Sequence, residues 1–498
     1  MRLKLSMIAW ICMGFFSLAA QDTVNRKYGE MVTVTDLKDN LTILASDAME
    51  GRETGKRGQK MAAAFIKAHF EELGLAGPVN GDYYQPVELH SSKPGEIYLK
   101  AAGATYKNFD GVAYVGSAET NGEVQMDAVF VGKGTKEDFE QVNVEGKAAV
   151  ILLGSEQSSR GPSALAREHG AKFVICFNPV AAESEKLMEQ YKRYLSGSSL
   201  SLEKAAPRNS GLFFVSPEIA SKIMNSSIEK LTRAAGPDAK KNALKKIKPG
   251  SLAYKTSQEW LTVKSENVLG YLEGGDKKDE LVVVTAHYDH IGKRSGGEGD
   301  LINNGADDDG SGTVTVMQLA KVFAQAKTDG NGPRRSMLFM TVTGEEEGLL
   351  GSEYYSEHPV FPLENTVVDL NIDMIGRRDA EHKDSAPYVY VIGSDRLSTE
   401  LHELSESVNK RYTGLIFDYT YNDENHPTRL YQRSDHWNFA KKNIPIIFYF
   451  DGIHEDYHRP SDEVEKIEFD LLAKRAQCVF YTAWEIANRD ERIVPDAK

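Results

Sequence analysis

Apolar residues between 34 and 75 recur at three-to-four spacing: Leu41, Leu44 and Ala45 in one stretch, Ala62, Phe65, Ile66, Phe70 and Leu73 in the next. That period predicts two amphipathic helices. The polar, glycine-containing run between them, 46–55, reads as a connector, with a place beside a functional site as the alternative. From about Tyr106 to Lys248 the texture changes to short β-rich segments. Residues 128–132, 147–153 and 172–177 read as strands, with a short helix at 163–169. No His, Cys, Asp and Glu cluster at ligand-like spacing there, so this stretch is expected to be a non-catalytic insert.

From Glu259 onward apolar strands alternate with amphipathic helices, the pattern of an α/β domain with a largely parallel, buried sheet. The strands are expected at 281–285, 337–343, 367–372, 388–392 and 444–450. Helices are expected at 312–326, where Val316, Leu319, Ala320 and Phe323 share a face, and at 398–410.

Composition bounds this picture. At 498 residues the chain has room for two or three domains, and 41% apolar with 27% charged residues is the balance of a globular protein. A formal charge of −14 argues against a nucleic-acid partner. The basic run Lys240, Lys241, Lys245, Lys246 and Lys248 reads as a solvated face or linker. Arg2 and Lys4, an apolar run over 7–16, and Ser17, Ala19 and Ala20 ahead of Gln21 have the order of a secretory signal peptide covering 1–20. Cys12 follows Ile11, which does not make a lipid-attachment box. No later run approaches the ~20 apolar residues of a spanning helix. The expected product is exported, periplasmic or extracellular, without stable membrane insertion. Cys176 and Cys478 sit in apolar surroundings and read as buried free thiols.

Ligand sites in α/β sheets lie beyond the carboxyl ends of the strands, and the polar residues gather there. His287-Tyr288-Asp289 follows the first strand, and Asp307-Asp308-Asp309 opens the next helix. Glu345-Glu346-Glu347 follows the second strand, Asp373 closes the third, and His454 and His458 follow the last. Imidazole with carboxylate and no thiolate suits zinc or a similar divalent ion. Carboxylates crowded at one end of a sheet repel unless a cation neutralises them.

These residues resemble the co-catalytic di-zinc exopeptidases, a family that includes secreted bacterial and fungal leucyl aminopeptidases and, more distantly, glutamate carboxypeptidase and the transferrin receptor. The resemblance is carried in order by His287-x-Asp289, Gly305-Ala306-Asp307-Asp308-x-Gly310-Ser311-Gly312, Glu345-Glu346-x-Gly348-Leu349-x-Gly351-Ser352, Asn371-x-Asp373-Met374-Ile375-Gly376, Ser434-Asp435-His436 and Tyr457-His458. It covers about 260–470.

The resemblance implies a zinc-exopeptidase (phosphorylase/hydrolase-like) fold, a three-layer αβα sandwich with a mixed central sheet. Its catalytic domain would span 21–105 and 256–490, with a tail at 491–498. The insert at 106–255 resembles a protease-associated domain, through Val144-Glu145-Gly146-Lys147 and the helix-strand unit at 166–177. Two zinc ions per chain are implied: one held by Glu346 and His458, the other by His287 and Asp373, with Asp308, second of its acidic run, bridging them. Glu345 would be the general base, and Asp289 would take the other ring N–H of His287. Tyr457, favoured over Tyr431, would donate to the oxyanion. His436 would serve structure or substrate placement, and His454 is expected at the surface.

The activity so implied is hydrolysis of peptide substrates from the N-terminus, because free α-amines bind beside acidic, metal-bridging carboxylates. The alternatives are a glutamate-type carboxypeptidase, with Arg377 or Arg433 holding the terminal carboxylate, a one-zinc glutaminyl cyclase, and a receptor-like binding protein without catalysis. The sequence leaves the oligomeric state and the preferred terminal residue open.

Overall fold

The computed structural model describes residues 23–154, 158–195, 199–204 and 211–496. The expected signal peptide at 1–20 lies outside them. The chain divides into two compact units, one formed by the residues up to 88 and from 263 onward, the other by 89–262.

In the first unit α1 (Val34–Leu44) begins where the Thr33 side chain accepts the Asp36 N–H, and it buries Leu37, Leu41 and Leu44. Helix α2 (Arg57–Glu72) follows a short 3-10 turn, Asp47–Arg52. The strands are β1 (Tyr84–Pro94), β2 (Gln258–Leu272), β3 (Lys277–His287), β4 (Arg335–Val342), β5 (Thr366–Ile372), β6 (Tyr388–Ile392), β7 (Ile416–Asp418) and β8 (Ile446–Phe450). Their order in the sheet is β7-β6-β8-β5-β3-β4-β2-β1. β3 runs parallel to β4 and β5, and β5 parallel to β8. β2 is antiparallel to β4, and β6 to β8. The sheet is therefore mixed around a parallel centre, and the carboxyl ends of β3, β4, β5 and β8 share one edge.

Side chains of β3 alternate between the sheet faces, as a strand requires. Val282, Val284 and Ala286 join one core cluster, while Leu281 and Val283 join another. The first cluster takes in α3 (Gly312–Thr328), and the second takes in Tyr355 of α4 (Leu350–Glu357) and Phe439 of α6 (His436–Ala440), which follows α5 (Thr399–Tyr412). A twenty-residue helix that the sequence pattern did not single out, α7 (Phe469–Asn488), closes the first face. Its Phe480 and Trp484 lie 5.3 and 5.5 Å, centroid to centroid, from Phe323 of α3. No helix among the described residues is long and apolar enough to cross a membrane.

The second unit has its own sheet, with parallel pairing through Val124–Phe130, Ala148–Leu152, Phe173–Phe177 and Leu212–Val215. It extends on both sides of 106–255 for a plain reason. Tyr98–Ala101 pairs with Gly250–Lys255 on one side and with Ala104–Lys107 on the other, so these strands belong to this sheet. Separate apolar clusters cover its two faces. Arg160–Glu168 is the short helix between strands. The lysines of 240–248 are exposed around a 3-10 turn, Leu244–Lys246. Cys176 and Cys478 are free and buried, and burial pushes each thiol up to about 12.

Candidate metal centre

Most candidate side chains sit at or past the end of a strand of the first unit, and Asp308 lies in the turn that opens α3. His287 ends β3. Glu345 and Glu346 follow β4 on a tight turn in which the Glu345 carbonyl accepts the N–H groups of Gly348 and Leu349. Asp373 follows β5 directly, and His458 lies in the loop after β8 with a left-handed backbone (φ 56°).

The three aspartates ahead of α3 do different work. Asp309 accepts Gly312 N–H (2.9 Å) and Met374 N–H (3.1 Å) on one oxygen and His287 N–H (3.2 Å) on the other. It ties three chain segments together and is largely spent on backbone donors. Asp307 accepts Gly376 N–H at 2.7 Å. The Asp462 carboxylate takes the N–H groups of Asp307 and Asp308, each at 3.1 Å, which fixes the turn. The Asp308–Asp309 peptide is cis. Only Asp308 turns both oxygens toward imidazoles: Oδ1 lies 3.2 Å from His287 Nε2, and Oδ2 lies 3.1 Å from His458 Nε2.

Two groups of donors result. His287 Nε2 is also 3.6 Å from Asp373 Oδ1 and 3.8 Å from Glu345 Oε2. His458 Nε2 is also 3.1 Å from Glu346 Oε2. Despite these approaches, Asp308 Oδ2 and His458 Nε2 are buried without a hydrogen-bond partner. Atoms 3.1 Å apart that share no hydrogen are placed as ligands around one cation are, for tetrahedral donors about 2.0 Å from an ion stand roughly 3.3 Å from each other. The residues therefore fit a pair of divalent ions, with Asp308 facing both positions. His287, Asp309 and Asp373 each bring a ligand atom within 4.8 Å of the other two, as do His290, Asp308 and Glu346. Asp308 is the better partner for the first group, because Asp309 is committed to backbone N–H groups.

The electrostatics agree. Burial works to raise the Asp308 carboxyl, but contact with His287 and His458 holds it well below the usual range. Burial works to lower His287, yet the charges of Glu345 and Asp373 raise it well above its ordinary value. His458 is raised to about 10 by Asp308 and Glu346 against the burial penalty. Glu345 is pushed well up by burial, then by Asp373 and Glu346. The side chains by themselves balance the carboxylates only by holding protons, the signature of a site short of positive charge.

Several expectations need correction. The Nδ1 of His287 faces the backbone carbonyl of Asp289 at 3.1 Å, while the Asp289 carboxylate stands 3.9 Å away. That carboxylate instead accepts Thr54 Oγ1 (2.7 Å) and Glu345 N–H (3.2 Å), because Thr54 and the turn after β4 bring stronger-placed donors to it. His454 is buried, with Nε2 3.2 Å from Asp307 Oδ2, and is raised to about 9 by Asp307 against desolvation. A polar loop sequence suggested the surface; the acidic partner that draws it inward lies far away in the chain.

His436 is buried near neutral partners, held by the Tyr431 carbonyl at 2.9 Å, and burial lowers it to about 3, so it stays uncharged away from the two groups. Tyr457 lines the cavity that opens on Asp308, Glu345 and Asp373, together with Met374, Leu430, Arg433, Phe448, Phe450 and Ile453. Tyr431 packs against Trp437 and His436 instead. Arg377 is engaged by Asp456 at 3.1 Å.

The sequence left a place beside the site open for the loop at 46–55 and has Ser434 in a motif, but gave Arg52, Ser434 and His290 no role. The loop at 46–55 reaches under the centre: fully buried Arg52 donates to the carbonyls of Tyr288 (2.8 Å), Leu44 (3.1 Å), Asn304 (2.6 Å) and Gly305 (2.8 Å). Ser434 Oγ donates to Asp373 Oδ2 at 2.6 Å. His290, three residues after His287, has Nδ1 2.7 Å from Glu346 Oε1 and 3.9 Å from Asp308 Oδ2. Its position in the same polar run was the available signal.

A mixed α/β sheet whose strand ends gather two carboxylate–imidazole groups on either side of Asp308 fits a two-metal centre of the hydrolytic type. Residues 267–483, which hold all the donors, match peptidase family M28. That match agrees with the resemblance to the di-zinc exopeptidases. It is 25% identical over 462 residues to aminopeptidase YwaD of Bacillus subtilis (strain 168), covering 90% of this chain and 84% of that one. It is 27% identical over 258 residues to a probable leucine aminopeptidase of Trichophyton verrucosum, covering 46% of this chain and 66% of that one. Among solved structures, an aminopeptidase from Aneurinibacillus sp. strain AM-1 superposes with TM-score 0.54 at 18% identity, covering 95% of this chain and 98% of that one. A zinc aminopeptidase from Bacillus subtilis gives 0.50 at 20%, covering 94% and 99%. The structural likeness concerns the fold.

Proposed function

We propose that this chain is a zinc-dependent aminopeptidase that removes N-terminal residues from peptides. The observation that carries the reading is the placement of Asp308, whose two oxygens face His287 and His458 from opposite donor groups. His287 and Asp373 would hold one zinc ion, Glu346 and His458 the other, and Asp308 both. Two such ions, when bound, polarise a carbonyl and bring a water's pKa toward neutrality.

The chain's own residues supply the rest. Glu345, on the cavity wall, accepts the proton of the attacking water and returns it to the leaving amine. Asp289 serves this base by accepting its backbone N–H, and Thr54 steadies Asp289. The carbonyl of Asp289 takes the Nδ1–H of His287, which leaves the Nε2 lone pair facing Asp308 and Asp373. Tyr457, also on the cavity wall, donates its hydroxyl to the developing oxyanion. The acidic lining favours a free α-amine. Arg433 on the same wall is the feature that a carboxypeptidase would use.

The reading includes a three-layer αβα arrangement for the catalytic unit, supported by the core clusters on both faces of its sheet, and a protease-associated character for the insert at 106–255, supported by Val144-Glu145-Gly146-Lys147 and the helix-strand unit at 166–177. It also includes export, supported by the charge, apolar run and small residues of 1–20. Assay of leucyl-, alanyl- and lysyl-anilides against N-acylated dipeptides tests the activity. Hydrolysis of the anilides is expected, and turnover of the acylated set alone would overturn the assignment.

A further inference from the structure

The Glu346 side of the centre contains one imidazole more than the ligand set requires. His290 is 1% exposed, its ring lies 5.7 Å from that of His458 at 74°, and its Nδ1 is 2.7 Å from Glu346 Oε1. Two arrangements would bring it there: a third donor to the ion, or a hydrogen bond to the carboxylate that holds the ion.

Distance and tautomer separate them. Glu346 Oε2 stands 3.1 Å from His458 Nε2, the spacing of two donors around a common ion, whereas Oε1 to His290 Nδ1 at 2.7 Å is a charge-assisted hydrogen bond. An ionised carboxylate only accepts, so Nδ1 must carry the proton and has no lone pair for a metal. Nε2 points elsewhere and is buried without a partner. The ring is also fixed from behind. Its backbone N–H donates to the Arg52 carbonyl at 3.2 Å, and it packs over Gly305, where an added Cβ would come within 2.5 Å of His290 Cδ2.

We propose that His290 is a positioning residue for the metal centre: by donating Nδ1–H to Glu346 Oε1 it fixes that carboxylate so that Oε2 alone faces Asp308 and His458, and so tightens the ion on that side. This inference rests on the two-zinc reading above. Losing such an outer partner typically costs roughly 10–100-fold in metal affinity.

The experiment is a zinc competition titration of the full chain against a chromogenic chelator, comparing wild type with His290→Leu and His290→Asn. The Asn amide nitrogen occupies nearly the place of Nδ1. We expect His290→Leu to release one ion roughly 10–100-fold more readily while the other is unaffected, and His290→Asn to stay near wild type. Equal loss in both variants, or none in His290→Leu, overturns the proposal. Should the variants misfold, zinc X-ray absorption of the wild-type holoprotein decides: about one imidazole per ion on average is expected, and about one and a half would make His290 a ligand. A wild-type chain that binds no zinc would instead remove the two-zinc reading itself.

Discussion

Asp308 alone of its run faces both donor groups because its neighbours are occupied. Asp307 and Asp309 carry the same functional group one residue away, yet Asp309 is taken by the backbone N–H groups of Gly312, Met374 and His287, and Asp307 by the N–H of Gly376 on one oxygen and by His454 on the other. Composition shows three equal aspartates, and only the fold makes them unequal. The donor types themselves were legible, because His287, Glu346, Asp373 and His458 all stand at strand ends where the alternation of strands and helices puts a site. Arg52 was not legible, since three of its four partners are carbonyls 236 to 253 residues further on, and carbonyls leave no mark in a sequence. Its replacement is a residue-scale test. Arg52→Met leaves buried carbonyls unsatisfied and should destabilise the chain by about 3 kcal/mol or more in urea unfolding. An unchanged midpoint would mean that the guanidinium is dispensable. The proposed general base, Glu345, gives a second test. Glu345→Gln should keep its zinc while turnover of an anilide falls on the order of 10²–10⁴-fold, and an unchanged rate would require another base.

At the scale of elements, the strands from β3 onward were readable as apolar runs between polar ends, because a parallel strand buried on both faces is nearly continuous in Val, Ile and Leu. Helix α7 was not read from the sequence, although most of its residues from Leu471 to Ala487 are buried. α6 illustrates what a buried element costs in pH range. His436, its first residue, is neutral because burial lowers it to about 3. The unfolded chain takes up a proton on this ring near pH 6.5 and the folded chain does not, so the stabilising contribution is whole above that pH and is lost as pH falls toward 3. Unfolding free energies of wild type and His436→Gln, measured from pH 7.5 to 4, should show the wild type losing more stability on acidification. Parallel curves would contradict the buried, neutral state.

Across the molecule, the site depends on one unit built from chain segments on either side of 89–262, and the unit's limits follow strand pairing that short strands such as Tyr98–Ala101 do not advertise in sequence. A centre that gathers Asp308, Glu345, Glu346 and Asp373 in a buried pocket should couple bound cations to global stability. Zinc held a thousandfold above its Kd contributes about 4 kcal/mol per site. Removal by chelator should therefore lower the thermal midpoint, and added zinc should restore it. A midpoint indifferent to chelator would separate the ions from the fold.

The central claim is that a pair of ions shares Asp308. Metal analysis of the dialysed full chain beside Asp308→Asn tests it most directly. About two zinc ions per wild-type chain, with both lost together from the variant, is the expected result. Retention of both ions by Asp308→Asn, or loss of just one, would contradict the shared aspartate.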